Sequence, residues 1–512
     1  MKLIINYIFL TIFCVICFED VSANSKKATK TSSLKDRSKS SKLMEVNKIE
    51  PRNLLSFTTL EEYIRDVASK NGNYLSSKTK IDSAELLKSK AELINSFQLF
   101  GSARTGFYEQ NQAAQIFRYS QYYNQNYQIG ISKNSLFGLE SKFAYNLNKM
   151  NYKDFNTSMF PNPALAKSNT QSNPSLELKL PIWQNFLGKS TRTNYEIIIT
   201  EQKINQINEK INLQKIIILA EKTYWQTAIS KEVLAVEKQK KHNSFLTLNK
   251  IKNKLAMNLA ESSDLLQIRA IYQQNQISLL QAEQQIQQNQ QEFNKLLELP
   301  IDSPLPELDK VFAVDLPKKE LPELDVNANL DFQGARENFN ITSSILVNEQ
   351  ESSKPKLNIV GNYALKGVES NLNTAINNSA NLAGKEGFIA IELQVPLAFG
   401  TLHNINKSAV IGKQAAKRLY DNKQYNIRQN IAQLQQNFNQ IKQQLVATKD
   451  LVAIQHEKLK NEQQLFNQGR TTTYQILIFE QEYWQAKLRL LQLSNIMLQI
   501  IAESKYYQPL DV

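Results

Sequence analysis

The side chains that could do chemistry in this chain are sparse and scattered. Its three histidines, His242, His403 and His456, are widely separated in long polar stretches, with no carboxylate or second histidine at metal-ligand spacing, and they read as surface residues. Both cysteines, Cys14 and Cys17, fall in an N-terminal apolar run. If that run is removed, the rest of the chain has no thiol for a disulfide, a nucleophile or a metal site. There is no glycine loop to cradle phosphate, no Gly-x-Ser-x-Gly elbow and no zinc signature. The residues therefore imply no enzyme, no cofactor and no bound metal.

Two short segments do have a specific local chemistry, that of tight turns between helices. One runs from Leu255 to Leu266 and the other from Phe466 to Leu477. Asn258 and Gly469 are residue types that readily take the left-handed conformation ending a helix. Ser262 or Ser263, and Thr472 or Thr473, can then cap the returning helix. Asp264 would sit near a helix N-terminus, where the macrodipole favours a negative charge by roughly 0.3–1 kcal/mol.

The elements that must position these turns are long. The chain has 512 residues but only 14 glycines and 13 prolines, too few for many short elements. Helices are expected from about Asn194 to Met257 and from about Ser408 to Phe466, each approaching ~90 Å at the α-helical rise of ~1.5 Å per residue. Their apolar positions step by four and three through Ile427, Ile431, Leu434, Phe438, Ile441 and Leu445. The returning helix continues the seam through Ile476, Phe479, Tyr483, Ala486, Leu490, Leu493 and Met497. The first half repeats the pattern through Leu265, Ile268, Tyr272, Leu279, Ala282 and Phe293, and such spacing specifies coiled-coil packing.

Strands precede both long helices. Leu176 to Ile182 and Ile391 to Leu397 alternate apolar and polar residues and meet Pro181 and Pro396, which end ladder pairing and suit a strand-to-helix switch. Hairpin partners are expected upstream, one in the aromatic-rich stretch from about Phe97 to Tyr152 and one from Leu357 to Leu365. That makes four strands per chain. An apolar-out, polar-in pattern suits a lipid-facing barrel, but four strands cannot close one, so several chains would have to contribute to it. A half-buried soluble sheet would show the same alternation. A further helix opens each half. Thr59 and Glu62 form a capping box before a break at Asn71-Gly72-Asn73, and a counterpart runs from about Asn327 to Ser352.

Hydrophobic residues make up 42% of the chain, yet no internal stretch approaches the ~20 apolar residues of a membrane helix. Lys2, the apolar run from Leu3 to Phe18 and the small residues at Val21-Ser22-Ala23 read as an export signal over residues 1–23, with a membrane anchor as the other reading. The net charge of +13 is partly concentrated in a Ser/Thr/Lys-rich extension over residues 24–52, expected to be disordered. It is either a solvated spacer or a contact for anionic lipid or cell-wall polymer. Lacking interleaved aromatics, it gives no support to nucleic-acid binding. The remaining organisation is a first unit over residues 53–299, a Pro-rich connector over 300–326 and a second unit over 327–508. Each unit is a helix, two strands and a long helix hairpin.

From Thr59 to Pro509 the chain resembles the TolC-type outer-membrane factor family. The turns carry the resemblance: a glycine six residues before an aspartate, then apolar residues opening the returning helix. Asn258 replaces the glycine of the first turn and Gln475 the aspartate of the second. The resemblance implies a mainly α protein with a transmembrane β-barrel portion. It would be a homotrimer with a 12-stranded barrel in outer-membrane lipid and a helical tunnel in the periplasm of a Gram-negative-type bacterium. It further implies passive export of small molecules or type I protein secretion, with a periplasmic adaptor (membrane fusion protein) and an inner-membrane transporter as partners. By the same resemblance the tunnel closes through polar links at positions matched by Ser263, Asp264, Phe466 and Thr471. Arg470 is adjacent to the position where the family can place a gating arginine, which leaves an Asp264–Arg470 pair open as one link, and Gln475 completes the candidate gate. Gln475 and Ile478 stand where some members carry acids, implying a mouth that binds cations less. Ordinary capping accounts for the same residues equally well. A secreted or periplasmic coiled-coil structural or adaptor protein without a barrel is the competing reading.

Overall fold

Strong helical spacing and strict alternation each produce what they specify in the computed structural model, which describes residues 57–109, 119–154, 167–311, 316–382 and 384–509. The expected export signal and basic extension lie outside the described residues. Eight α-helices are described: α1 (Leu60–Lys70), α2 (Gly72–Leu87), α3 (Lys189–Ala256), α4 (Ser262–Leu296), α5 (Leu330–Ser352), α6 (Leu372–Ala380), α7 (Phe399–Asn467) and α8 (Thr473–Ser504). The six strands are β1 (Phe97–Glu109), β2 (Gln121–Asn134), β3 (Glu140–Lys153), β4 (Ser168–Pro181), β5 (Lys356–Glu369) and β6 (Gly384–Gln394).

The capping box forms as expected: the Glu62 amide donates to Thr59 Oγ1 at 3.3 Å, and the Thr59 amide donates to Glu62 Oε2 at 3.0 Å. Asn71 ends α1 and caps α2, accepting from the Tyr74 amide at 3.0 Å. The same side chain donates to the Leu296 carbonyl at 3.1 Å, tying the break to the end of α4.

Helices α3 and α7 have 68 and 69 residues. At ~1.5 Å per residue each is about 100 Å long. Both start before the expected positions, with Lys189–Arg192 forming the first turn of α3 and Phe399–Leu402 that of α7. Their seams close where the periodicity places them. Ile427, Ile431, Leu434, Phe438 and Leu445 are buried on α7, as are Ile476, Ala486, Leu493 and Met497 on α8. The main core gathers around Tyr63, Tyr224 and Phe293 and draws in Leu308, Val311 and Leu316 of the connector. Tyr63 stacks on Phe293 with ring centroids 4.1 Å apart and donates to the Phe293 carbonyl at 3.1 Å. Its burial pushes the phenol far above the usual tyrosine range, so it stays a neutral donor. Tyr224 donates to the Thr58 carbonyl and to Asp309, both at 2.8 Å, anchoring the connector to α3. Apart from 3-10 conformation at Val311 and a short 3-10 turn at Leu316–Lys318, the described connector is non-helical.

The sheet departs from expectation. It has six strands in the order β1-β2-β3-β4-β5-β6, every pair antiparallel, where four were expected. The stretch taken as one partner of β4 holds three strands, because the chain reverses tightly at Ser135–Leu139. There the Gly138 amide donates to the Ser135 carbonyl at 2.9 Å, with Gly138 at φ 90°. A twelve-stranded wall from three copies rests on four strands per chain and does not follow from six.

The two strand-to-helix switches also differ. Pro181 is the last residue of β4, and the chain then turns through left-handed Asn185, Leu187 and Gly188 into α3. Gly188 is required there: at φ 72° a Cβ would lie 1.9 Å from the Leu136 carbonyl oxygen of the β2–β3 turn. Strand β6 ends at Gln394, two residues before Pro396, so the second proline follows the ladder instead of closing it. Gly400, in the first turn of α7, has open space around it.

Candidate functional site

Two regions could do work: the sheet, and the turns at the opposite end of the long helices. In the sheet, period-two alternation sorts side chains consistently across all six strands because the ladders keep register. Leu99 faces Ile131, which faces Phe143, which faces Leu176, which faces Tyr363. Ile359 faces both Leu180 and Ile391. This face is apolar and open, with Leu99 75% exposed and Ile389 83% exposed. Its neighbours on the other face are Gln98, Ser102 and Arg104 on β1, Asn124, Asn126 and Gln128 on β2, and Asn146 and Asn148 on β3. Asn173, Glu177 and Lys179 follow on β4, then Asn358 and Asn362 on β5, and Glu386 and Glu392 on β6. Lys179 donates to Glu392 at 2.9 Å, an ion pair on that polar face. An apolar face too open for water, backed by a polar one, is the pattern of a lipid-facing wall around an aqueous path.

Helix α6, between β5 and β6, was not expected from sequence. Asn371 caps it, accepting from the Asn373 amide at 3.1 Å. It lies over the far end of the apolar face, where Tyr145, Ser172 and Ser379 form a hydroxyl chain with steps of 2.6 and 2.9 Å. The asparagine before a short Ala- and Ile-bearing run is the signal that could have revealed it.

At the turns, Asn258 (φ 59°) and Gly469 (φ 71°) are both left-handed, as their residue types predict. Thr472 caps α8, its side chain accepting from the Gln475 amide at 3.2 Å. The first turn differs from expectation. Glu261, not Ser262 or Ser263, is the N-cap of α4, and Asp264 Oδ2 accepts from the Glu261 amide at 3.4 Å, while Ser263 Oγ donates to Glu261 at 3.2 Å. The acid three residues after an acid reproduces the reciprocal geometry of a capping box, which outweighs a single hydroxyl.

Among the described residues Asp264 and Arg470 make no ion pair with each other within the chain, and Arg470 is exposed. Phe466 is buried, packed with Ile251, Ile268, Leu459, Ile476 and Leu477. The Lys254 ammonium lies 3.8 Å from the centre of its ring and so joins the two turns. Thr471 bonds to Glu462. Gln475 is exposed. Sequence reasoning missed Glu480, one helical turn and a residue past Gln475. Burial pushes its carboxyl up to about 7, against a 3.4 Å bond from Thr247 and the charge of Lys250. None of the described helices is long and apolar enough to cross a membrane, and no described cluster of His, Cys, Asp and Glu could hold a metal ion.

No sequence-family model matches the chain. No curated protein matches it either. Solved structures do. The outer-membrane protein VceC of Vibrio cholerae aligns over 88% of this chain and 96% of its own with a TM-score of 0.61 at 13% identity. The open-state MtrE outer-membrane channel of Neisseria gonorrhoeae aligns over 88% of both chains with a TM-score of 0.61 at 11% identity. The chain has the TolC-type outer-membrane factor fold. The CmeC outer-membrane channel of Campylobacter jejuni, with a TM-score of 0.59 at 13% identity, shares it over 88% of this chain and 85% of its own.

Proposed function

We propose that this chain is one subunit of a passive outer-membrane exit duct, serving efflux of small molecules or type I protein secretion. In this reading three copies assemble. The sheets cross the outer membrane, and the helix pairs run through the periplasm toward an adaptor and an inner-membrane pump. The carrying observation is the sheet itself, an open antiparallel ribbon with an apolar face in register across six strands and a polar face behind it, standing on helices about 100 Å long. Such a face is unstable in water, and its unpaired edges are unstable in hydrocarbon, so the sheet requires both lipid and further copies. The fold shared with known outer-membrane channels supports the same reading. The helix pairs supply no chemistry, which suits a conduit driven by a partner.

The two halves, residues 53–299 and 327–508, read as one unit used twice, joined by the connector over 300–326. The turns Asn258–Asp264 and Gly469–Gln475 form the periplasmic mouth, with Asp264 of one copy reaching Arg470 of the next. Membrane fractionation followed by native mass measurement, with and without heating, tests the duct. A trimer from the outer membrane that falls to monomer on heating is expected. A water-soluble monomer or dimer overturns the duct and returns the chain to the coiled-coil adaptor reading.

A further inference from the structure

The outermost strands of the sheet, β1 and β6, each have one edge with no partner among the described residues. We infer that these edges form a single seam between copies, with β6 of one subunit pairing antiparallel with β1 of the next, so that three copies close an eighteen-stranded wall. This rests on the duct reading above, and it departs from the twelve strands that the family resemblance implies.

Four observations carry it. Six strands alternating in direction leave β1 and β6 running oppositely, so adjoining copies meet antiparallel without any crossover. The strands have 13 and 11 residues, long enough for the ~9–11 residues of a tilted membrane strand. The β1–β2 hairpin belongs to the wall. It is paired with β3 over fourteen positions, from Gln121–Lys153 to Asn134–Glu140. Tyr108 stacks on Tyr122 with centroids 4.9 Å apart, and Tyr122 contacts Tyr152 at 5.7 Å, sewing three strands together on the polar face. Its apolar side chains Leu99, Phe107, Ile129 and Ile131 are exposed on the same face as Leu178 and Leu180. A hairpin folded away from the lipid would leave that apolar surface in water.

The fourth observation is complementarity of the two edges. When Leu99 is set opposite Ile391, the apolar faces continue through Phe97 with Leu393 and Gly101 with Ile389. On the polar face the same register brings Arg104 opposite Glu386 and Gln98 opposite Glu392. A shift by one residue would turn one of the two apolar rows to the wrong face. Because barrel diameter grows roughly linearly with strand number, eighteen strands make an opening about half as wide again as twelve. The extra hairpin is therefore a widening device at the outer surface.

Cysteine cross-linking in the full chain, assembled in the outer membrane, tests the seam. Leu99→Cys is combined in turn with Ile389→Cys, Ile391→Cys and Leu393→Cys, with the unsubstituted chain as control. Opposite residues on antiparallel strands lie ~4.5–5.5 Å apart at Cα, within disulfide range. Oxidation should give covalent dimers and trimers on a heated non-reducing gel, strongest for Ile391→Cys. Co-expressing copies that carry only Leu99→Cys with copies that carry only Ile391→Cys should give dimers and nothing larger. A native-mass trimer that forms no link at any of the three positions overturns the eighteen-stranded wall while leaving the duct. So does a trimer that instead links Phe143→Cys to Ile391→Cys. A protein that is monomeric by native mass, with the link closed inside one chain, overturns the duct reading itself.

Discussion

The two halves of the chain follow one order of elements: an opening helix, strands, a long helix and its return. They differ in the sheet. The first half inserts four strands and the second only two, while the long helices agree to within a residue at 68 and 69. The two long helices are matched through the elements they share: α8 and α5 each pack on both α3 and α7, so neither long helix can change length alone without shifting its turn against the other. The sheet answers only to direction. A hairpin can be added because it brings the chain back to the face it left, whereas a single strand would reverse every element that follows. The junctions differ for the same reason: the β2–β3 turn, which joins the added hairpin to β3, leans on Gly188, and nothing leans on Gly400.

Four pairs of substitutions test this contrast. The largest effect is expected at Gly188, where an alanine Cβ meets backbone at 1.9 Å in a left-handed conformation. Gly188→Ala should cost about 4 kcal/mol or more and abolish heat-resistant oligomer, whereas Gly400→Ala should be neutral or stabilise by up to about 1 kcal/mol. Equal effects at the two glycines would remove the structural difference between the junctions. Next, Ile129→Arg on the added hairpin should cost about 2–4 kcal/mol in folding into lipid vesicles, and Gln128→Arg on the polar face close to nothing. A harmless Ile129→Arg would place the hairpin outside the lipid.

The third contrast is between the return helices. At equal distance past Asn258 and Gly469, the first half has exposed Arg269 and the second has Glu480, its carboxyl pushed up to about 7. An acid with a raised folded value stabilises the fold fully below its ordinary range near 4.5 and loses that contribution as pH rises through about 7. Glu480→Gln should therefore flatten the pH dependence of unfolding and gain about 1–3 kcal/mol at pH 8, with little change at pH 4. Arg269→Gln should leave the profile unchanged. The smallest effect concerns the turns. Gly469→Ala should cost about 1 kcal/mol from its left-handed φ alone, and Asn258→Gly should cost nothing or gain a few tenths in denaturant titration.

Much of the helical part was legible because one physical rule dominated each signal. The Thr59–Glu62 box, the left-handed Asn258 and Gly469, and the seam from Ile427 to Leu445 are local patterns with little competition. Strands β4, β5 and β6 were legible from Leu and Ile alternating with charge. The β1–β2 hairpin was not, because its apolar row is partly tyrosine, at Tyr123 and Tyr127, and its polar row is asparagine, glutamine and glycine. The contrast between faces is therefore weak until register with β3 is known. Gly138 was the available clue to the reversal. The cap at Glu261 was missed because serines attract attention as caps, while an acid pair three residues apart satisfies the turn reciprocally. In the proposed duct the links of the mouth are between separate copies, so a single chain's residues carry the chemistry of such a link but not its partner.

The β4–β5 ladder sets a schedule for building the molecule. It pairs Pro181 with Asn358 and Thr170 with Glu369, and between those strands lie both long elements of the first half, the connector and α5. In a chain made from its N-terminus, strands β1 to β4 emerge first and hold an exposed edge until β5 follows them. Closing so large a loop adds only slowly to its entropic cost, so the delay is one of time more than of stability. During that interval the unfinished ribbon is a template for any stray strand and has to be kept covered.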